Sequence, residues 1–373
     1  MKTILTLALL LVSLVANGQE ILPADKGTTL AQTTINGNVH TLLVIAEKGE
    51  NIEAIDLSNL YQSTKDMIGI YHDVGYQGLV TLSLANTAAA QLYPISDLLS
   101  PAGTHSHHVA AGLNYRKHAD EVDSEQVPFL YVKATKPTRQ QSITVNAQEL
   151  LDYEVELCAR PLRALTVQPQ QNEPTFGFFL CGDFTDRAEL LRHIDIDNMQ
   201  SGRGFSNAKS KQGYFPTGPY MVISKDWQQF INNTELKLSL NGQLKQNAMA
   251  KEMVWSLSKM LEKTWQLNKN NYAVHSNKVG SLSPNKTIDE KMVFLTGTPE
   301  GILFGAPGVG FKIKTAIKYV FTGNFCDMKL TDFVLKEYSR ELLEEKTLLQ
   351  PGDEVILSAS YLGQIQLTIT GAP

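Results

Sequence analysis

Cysteine is scarce in this sequence, and neither one sign of charge nor long apolar runs dominate it. Only three cysteines occur, Cys158, Cys181 and Cys326, far apart and in no evident pair, so no CxxC site and no disulfide framework are expected. Lys and Arg total 33 against 38 for Asp and Glu, and a net charge of −5 gives no electrostatic reason to expect nucleic-acid binding. Beyond the N-terminus no apolar stretch reaches about 18 residues, which predicts no stable membrane insertion.

The N-terminus has the pattern of a secretory signal. Lys2 precedes an apolar stretch at residues 4–15, and the small residues at 16–18 (Ala-Asn-Gly) then lead to Gln19. The stretch is too short to span a bilayer, so residues 1–18 are interpreted as a signal peptide cleaved near Gly18. The alternative is a buried N-terminal strand or helix. The signal predicts an exported protein, either periplasmic or secreted.

The remaining chain divides by composition into two parts. Apolar residues make up 43% and charged residues 19%, which excludes disorder. A small N-terminal α+β domain is predicted at residues 19–104, with a buried strand at 39–46, an irregular helical stretch to about residue 84 and a turn-rich end. Residues 105–373 are β-rich, with a hairpin near 236–244 and helices predicted at 250–266 and 330–348. The fold class is therefore mainly β with α.

Three carboxylates are candidates for a metal site. Residues 151–158 alternate as a strand, so Glu154 and Glu156 project from one face and can converge on a hard cation. Asp183 follows a buried strand at 176–181 and is either a turn cap or a third ligand. Lys209 is a candidate to offset the negative charge. The alternative is a solvated acidic face with an unrelated lysine.

Two further patterns concern acid–base chemistry and anion binding. His118 and Glu121 are spaced so that, on a helical turn, the carboxylate can hold the imidazole as a base for water; the alternative is an exposed ion pair of little energy. Residues 296–301 (TGTPEG) form a turn whose free amides and hydroxyls can bind a carboxylate. The cluster of His105, His107 and His108 is interpreted as mostly structural, because adjacent strand residues point to opposite faces.

Taken in order, eight segments resemble the fumarylacetoacetate hydrolase family. They lie between about residues 109 and 373 and read GLNYRKHADE (112–121), PFLYVKATKP (128–137), DYEVEL (152–157), FGFFLCGDFTDR (176–187), AKSKQGYFPTGP (208–219), LNGQLKQ (240–246), TGTPEG (296–301) and PGDEV (351–355). Residues 39–101 also look like the small N-terminal domain of longer bacterial members. Eight matches in one order make a chance resemblance very improbable.

The resemblance implies a mixed β-sandwich roll in residues 105–373 and a site that requires a divalent metal. By position, Glu154, Glu156 and Asp183 match the metal carboxylates, and Lys209 matches an active-site lysine. The pair His118 and Glu121 matches the family's catalytic dyad. The substrate-contacting positions are matched by Arg187 and Thr298, with Gly297 beside them. The implied cofactor is Mg²⁺, with Mn²⁺ or Ca²⁺ as alternatives, and the implied assembly is a homodimer.

The resemblance also implies an enzyme that acts on a small 2-oxo or 2,4-dioxo acid by C–C hydrolysis, decarboxylation or tautomerisation, through an enolate chelated by the metal. The alternatives are a catalytically degraded relative that only binds an acidic metabolite or a metal, and a structural metal-binding protein. Two departures bear on the substrate. Leu190 stands where members often have Gln, and a long insertion separates TGTPEG from PGDEV.

Overall fold

The computed structural model describes residues 20–85, 89–122, 124, 127–169, 173, 175–267, 272–274, 278–283 and 287–372. The predicted signal peptide lies outside these described residues. The N-terminal part consists of β1 (Gly27–Ile35), β2 (Asn38–Lys48), β3 (Asn51–Asp56), α1 (Leu57–Leu60), α2 (Met67–Ala85) and β4 (Gln91–Pro94). The strand expected at 39–46 is confirmed within β2. Strand β1 was not predicted, because its sequence, GTTLAQTTI, buries threonines instead of alternating apolar and polar residues.

The central part carries most of the strands and the segments that resemble the hydrolase family. Its elements are β5 (His108–Gly112), α3 (Arg116–Glu121), β6 (Phe129–Lys133), β7 (Ser142–Val145), β8 (Leu151–Asp152), β9 (Val155–Pro161), β10 (Phe176–Gly182), β11 (Thr185–Asp186), α4 (Arg187–His193), α5 (Phe205–Lys209), β12 (Met221–Ser224), α6 (Trp227–Asn233), β13 (Glu235–Leu240) and β14 (Gln243–Met249). The predicted hairpin is confirmed as β13 and β14, joined by a turn at Asn241 and Gly242.

The C-terminal part contains the insertion and the last hairpin. Its elements are α7 (Leu257–Leu267), β15 (Tyr272–Val274), β16 (Lys278–Gly280), β17 (Phe294–Leu295), α8 (Val309–Phe321), α9 (Leu330–Glu345), β18 (Glu354–Ala359) and β19 (Gly363–Gly371). The helix expected at 330–348 is confirmed as α9, although it ends at Glu345. Among the described residues, no helix combines the length and the hydrophobicity needed to cross a bilayer.

Two sheets form the body of the molecule, which confirms the mainly β with α fold. The ten-stranded sheet has the order β4-β3-β2-β1-β12-β10-β9-β17-β5-β6, and the five-stranded sheet has the order β14-β13-β18-β19-β7. Strand β1 pairs antiparallel with β12, so the N-terminal strands continue the sheet of the central part. The proposed domain boundary near residue 104 stays a prediction.

The largest core lies between the two sheets, and a second core covers the opposite face of the ten-stranded sheet. On β9, Leu157 and Ala159 belong to the first core, whereas Cys158 belongs to the second. This is the alternation that a strand imposes on successive side chains. The second core also contains Leu190 and Phe205 from the short helices α4 and α5, which therefore lie on this face.

The expectations for the cysteines and for the helix at 250–266 are wrong. Cys158 and Cys181 form a disulfide, because antiparallel pairing of β9 with β10 brings their Cα atoms to 5.9 Å although they are 23 residues apart. The helix expected at 250–266 begins only at Leu257. The preceding amides are used elsewhere, since Val254 donates to the carbonyl oxygen of Asn114 and Trp255 donates to its side-chain oxygen.

Candidate active site

The three predicted metal carboxylates meet on one side of the ten-stranded sheet. Glu156 lies on β9, Glu154 lies in the break between β8 and β9, and Asp183 directly follows β10. All three are buried, and one oxygen from each lies within 4.8 Å of the others. The predicted uninterrupted strand at 151–158 is wrong at Tyr153 and Glu154. The break still keeps the carboxylates together, because the amide of Asp183 donates to the carbonyl oxygen of Glu154 at 3.0 Å.

Glu156 is the carboxylate whose negative charge is least stabilised by neighbouring donors and cations. Its Oε2 accepts from the amide of Gly297 at 2.8 Å, while its Oε1 is buried with no hydrogen-bond partner in the part of the chain that the structure describes. Burial, followed by the charges of Asp183 and Glu154, raises the pKa of Glu156 well above its usual range. A buried carboxylate oxygen without a donor is a position where a cation would be stabilising.

Asp183 is surrounded by donors. Its oxygens accept from Lys133 and Tyr131, and Lys209 lies 2.9 Å away. Burial alone would raise the pKa of Asp183, but the ammonium groups of Lys133 and Lys209 hold it below the usual value. Asp183 is therefore held in its ionised form, as a metal ligand must be.

Lys133 was missed by the sequence reasoning. It ends β6 (FLYVK), where a lysine within an apolar run is the signal that was available, since lysine is almost never fully buried unless paired. Its side chain is fully buried, bonds Asp183 and donates to the carbonyl oxygen of Lys209 at 2.6 Å. Burial lowers the pKa of Lys133, although Asp183 opposes that shift.

Lys209 and Arg187 link the cluster to the short helices. Lys209 ends α5, and its Nζ lies 2.7 Å from Glu154 Oε2. Arg187 begins α4 and donates from Nε to Asp152 and from Nη2 to Glu154, both at 2.9 Å. Burial alone would lower the pKa of Lys209, but Asp183 and Glu154 raise it above its usual value.

The charges of this buried cluster do not cancel. Four acids, Asp152, Glu154, Glu156 and Asp183, face three bases, Lys133, Lys209 and Arg187, and Glu156 is the acid that no base touches. A divalent cation would supply the missing positive charge, and carboxylate oxygens are the donors that Mg²⁺ and Mn²⁺ prefer. The donor set therefore fits a hard divalent metal.

His118 and Glu121 lie on α3 as the sequence spacing suggested. His118 Nδ1 is 3.3 Å from Glu121 Oε2, and the histidine side chain is only 8% exposed. Glu121 is itself held, because its two oxygens accept from the amide of Gly301 at 3.0 and 3.2 Å. Because His118 is this deeply buried, the pair is not the exposed surface ion pair that was the alternative interpretation. The catalytic role of the pair stays a prediction.

The TGTPEG turn (residues 296–301) contacts the carboxylate cluster through the backbone amide of Gly297. Gly297 has φ +93°, and a Cβ there would lie 2.7 Å from the Cβ of Asn114, so glycine is required for this close approach. The amide of Gly297 is used by Glu156, so the structure does not bring it to the cavity. Thr298 Oγ1 donates to the carbonyl oxygen of Val155 at 3.0 Å and accepts from Gln246, a buried residue that the sequence reasoning did not single out.

A cavity of about 310 Å³ opens beside these residues. Five of the nine predicted site residues line it, and we call them the polar patch: His118, Glu154, Arg187, Lys209 and Thr298. Glu156 and Asp183 lie deeper, fully buried. The rest of the lining is mostly apolar. The arrangement therefore brings a carboxylate cluster that fits a metal, a buried histidine and two cationic side chains to one cavity.

The histidines at 105–108 lie outside this cavity. His108 Nδ1 accepts from the amide of Val293, and its Nε2 donates to the carbonyl oxygen of His105. Burial lowers the pKa of His108 to about 3, so the ring is neutral at physiological pH. These backbone contacts agree with the structural role expected from the sequence.

Comparison with known proteins supports the family resemblance. The family model for the fumarylacetoacetate (FAA) hydrolase C-terminal domain matches residues 107–370. Oxaloacetate tautomerase YisK of Bacillus subtilis is 25% identical over 232 residues, which are 60% of this chain and 65% of that protein. An uncharacterised protein of Staphylococcus epidermidis is 27% identical over 57% of this chain and 63% of its own length. The chain thus matches less than two thirds of the length of these relatives.

Solved structures of the same fold cover nearly the whole chain. Fumarylacetoacetate hydrolase from Exiguobacterium antarcticum aligns with a TM-score of 0.57 and 16% identity, over 92% of this chain and 100% of its own. Maleylpyruvate hydrolase from Sphingobium sp. SYK-6, solved with manganese(II) and pyruvate, gives 0.56 and 17% over the same shares. At these identities the likeness concerns the fold.

Proposed function

Because the chain belongs to the fumarylacetoacetate hydrolase family, we propose that it is a divalent-metal-dependent enzyme that interconverts the keto and enol forms of a 2-oxo acid. The observation that carries the proposal is the buried carboxylate cluster, with its unmatched Glu156, beside a cavity that also presents His118. The curated relative named as an oxaloacetate tautomerase supports this reaction class. The neighbour solved with manganese and pyruvate supports a 2-oxo acid as ligand.

Glu154, Glu156 and Asp183 are the residues that would hold the metal. The fit rests on three oxygen donors in one place and on the unpaired Oε1 of Glu156. A bound Mg²⁺ or Mn²⁺ would act as a Lewis acid and stabilise negative charge on the 2-oxo oxygen of the substrate. Lys209 offsets the negative charge of the cluster, because its ammonium group contacts both Glu154 and Asp183.

His118 is the proposed proton carrier. Its Nδ1 faces the Glu121 carboxylate and therefore carries the proton of the neutral ring, which leaves the lone pair on Nε2 free to accept one. Such a base removes a proton from C3 of the keto acid to leave an enolate, and transfer of a proton to the 2-oxo oxygen, from the imidazolium so formed or from solvent, completes the enol. The Gly301 amide fixes Glu121, so the dyad is held before substrate binds.

C–C hydrolysis is the second candidate, because the same dyad can also deprotonate a water molecule. The two reactions differ in their products, since hydrolysis makes two fragments whereas tautomerisation conserves the substrate. The maleylpyruvate hydrolase among the structural neighbours supports this alternative through the fold alone.

The test is a metal-dependent assay of enol disappearance by ultraviolet absorbance, with oxaloacetate and other 2-oxo acids. We expect turnover with Mg²⁺ or Mn²⁺, its loss with a chelator, and its loss in His118→Gln but not in His72→Gln, which changes an exposed histidine. Turnover that survives the chelator, or an absence of turnover on every 2-oxo and 2,4-dioxo acid tried, would contradict the proposal. Fragment products would favour hydrolysis.

We also propose that the protein is exported. The pattern at residues 1–18 supports this, and so does the Cys158–Cys181 disulfide, because stable disulfides are typical of oxidising compartments. Mass spectrometry of the protein from its native host should give a mature form that begins near Gln19. An intact Met1 on soluble cytosolic protein would contradict this assignment.

A further inference from the structure

The cavity is lined by two kinds of side chain in separate parts. Besides the polar patch, six apolar residues form what we call the apolar wall: Leu190, Leu191, Ile194, Ile196, Phe304 and Leu335. Leu190 and Ile194 pack with the core beneath α4, whereas Leu191, Phe304 and Leu335 pack together between α4 and α9. Leu335 belongs to α9, so the insertion builds part of this wall.

The cations at the cavity are already engaged. Lys209 contacts two carboxylates, and Arg187 donates to Asp152 and Glu154 while the ring of Phe304 lies 5.3 Å from its guanidinium carbon. His118 is bonded to Glu121. Among the lining residues that the structure describes, no further lysine, arginine or histidine is available for a second substrate carboxylate.

We propose that the substrate is a 2-oxo acid with one carboxylate and an apolar substituent, aryl or branched alkyl, that packs on the apolar wall. The inference rests on the proposed function, which sets the oxo-acid group at the polar patch. A second carboxylate on the wall would be desolvated without a partner, whereas an apolar group there gains from burial. Leu190 is the central residue, because it is 5% exposed and lies one helical turn from Ile194.

The test compares binding of phenylpyruvate and oxaloacetate by calorimetry, with the protein loaded with Mn²⁺. We expect phenylpyruvate to bind at least about tenfold more tightly, since even one methylene in a hydrophobic pocket changes discrimination by about 10- to 200-fold. Leu190→Gln, a change of similar volume, should reduce that preference about tenfold and leave the affinity for Mn²⁺ alone unchanged. Leu92→Gln is the matched control, because Leu92 is 60% exposed on β4.

The outcomes separate the two proposals. Oxaloacetate that binds as tightly as phenylpyruvate, or a preference that Leu190→Gln leaves intact, overturns the apolar-substrate inference while the proposed function stands. If neither acid binds in a metal-dependent way, the proposed function is overturned, and the inference falls with it. A loss of Mn²⁺ affinity in Leu190→Gln would mean that the residue acts on the carboxylate cluster, which also contradicts its assignment to the wall.

Discussion

The carboxylate cluster and the apolar wall lie at one cavity, but different parts of the fold carry them. The carboxylates lie on or directly beside β9 and β10, adjacent strands of the ten-stranded sheet, and every ionic group of the cluster is buried and most are paired. The wall stands on α4, on the segment that follows it and on the insertion with α9, and several of its side chains are partly exposed. This difference supports the proposal that the carboxylates beside the sheet hold the metal, while α4 and the insertion shape the pocket for the substrate.

The largest effect is expected at His118. His118→Ala should lower kcat by about 10²–10⁴-fold, the usual contribution of a general base. Glu121→Gln should lower it less, and the double variant should lose little more than His118→Ala alone, because a misoriented imidazole is already a poor base. A double-mutant cycle with metal affinity measured in parallel tests this. If the kcat losses of the two single variants add up in the double variant, His118 and Glu121 have a structural role and do not act as a catalytic pair.

Lys133 tests whether the cluster also stabilises the fold. Lys133→Met should lower the free energy of unfolding of the metal-free protein by about 3 kcal/mol, since it removes one partner of a buried ion pair with Asp183. Leu335→Ala in the apolar wall is the comparison, with about 1 kcal/mol expected because its side chain is only half-buried. If urea unfolding shows that the two variants lose equal free energy of unfolding, the carboxylate cluster and the apolar wall do not differ in what they contribute to stability.

The disulfide should stabilise the strands that carry Glu156 and Asp183. Replacing Cys158 and Cys181 together by Ala should lower the free energy of unfolding by about 2–4 kcal/mol, as expected for a bridge that closes a loop of 23 residues. The substrate preference should not change, because neither cysteine lines the cavity. Unfolding curves that coincide with those of the wild type would contradict this expectation.

Low pH should reduce the stability of the folded protein through His108. Its pKa is about 3 in the folded protein, lowered by burial, against an ordinary value of 6.5, so between these values the unfolded chain binds a proton that the folded chain does not. Stability should therefore fall as the pH falls from about 6.5, by up to ~1.4 kcal/mol per pH unit from this residue. His108→Gln should flatten that slope, and His72→Gln should not. An unchanged slope in His108→Gln would exclude this origin.

The sequence alone identified the carboxylates and the His118–Glu121 pair that the structure places at the site, but it did not reveal the residues that support them. Alternation along the strand predicted at 151–158 and an i, i+3 spacing pointed to Glu154, Glu156, His118 and Glu121, because those relations are local. The break in that strand at Glu154 was not predicted. Lys133 and the Cys158–Cys181 pair depend on which strands are neighbours, and no local pattern reveals that. The later start of α7 has the same origin, since Asn114 takes the preceding amides from a distant part of the chain.

The central claim is that the unmatched Glu156 belongs to a metal site, and calorimetric titration of the metal-free protein with Mn²⁺ tests it most directly. The account predicts one bound ion per chain and at least a tenfold weaker affinity in Glu156→Gln, about 1.4 kcal/mol or more. The variant should remain folded, because it removes a buried charge that no base contacts. Glu344→Gln, which changes a side chain 70% exposed on α9, should bind as the wild type does. Equal Mn²⁺ affinity in the wild type and in Glu156→Gln would contradict the account.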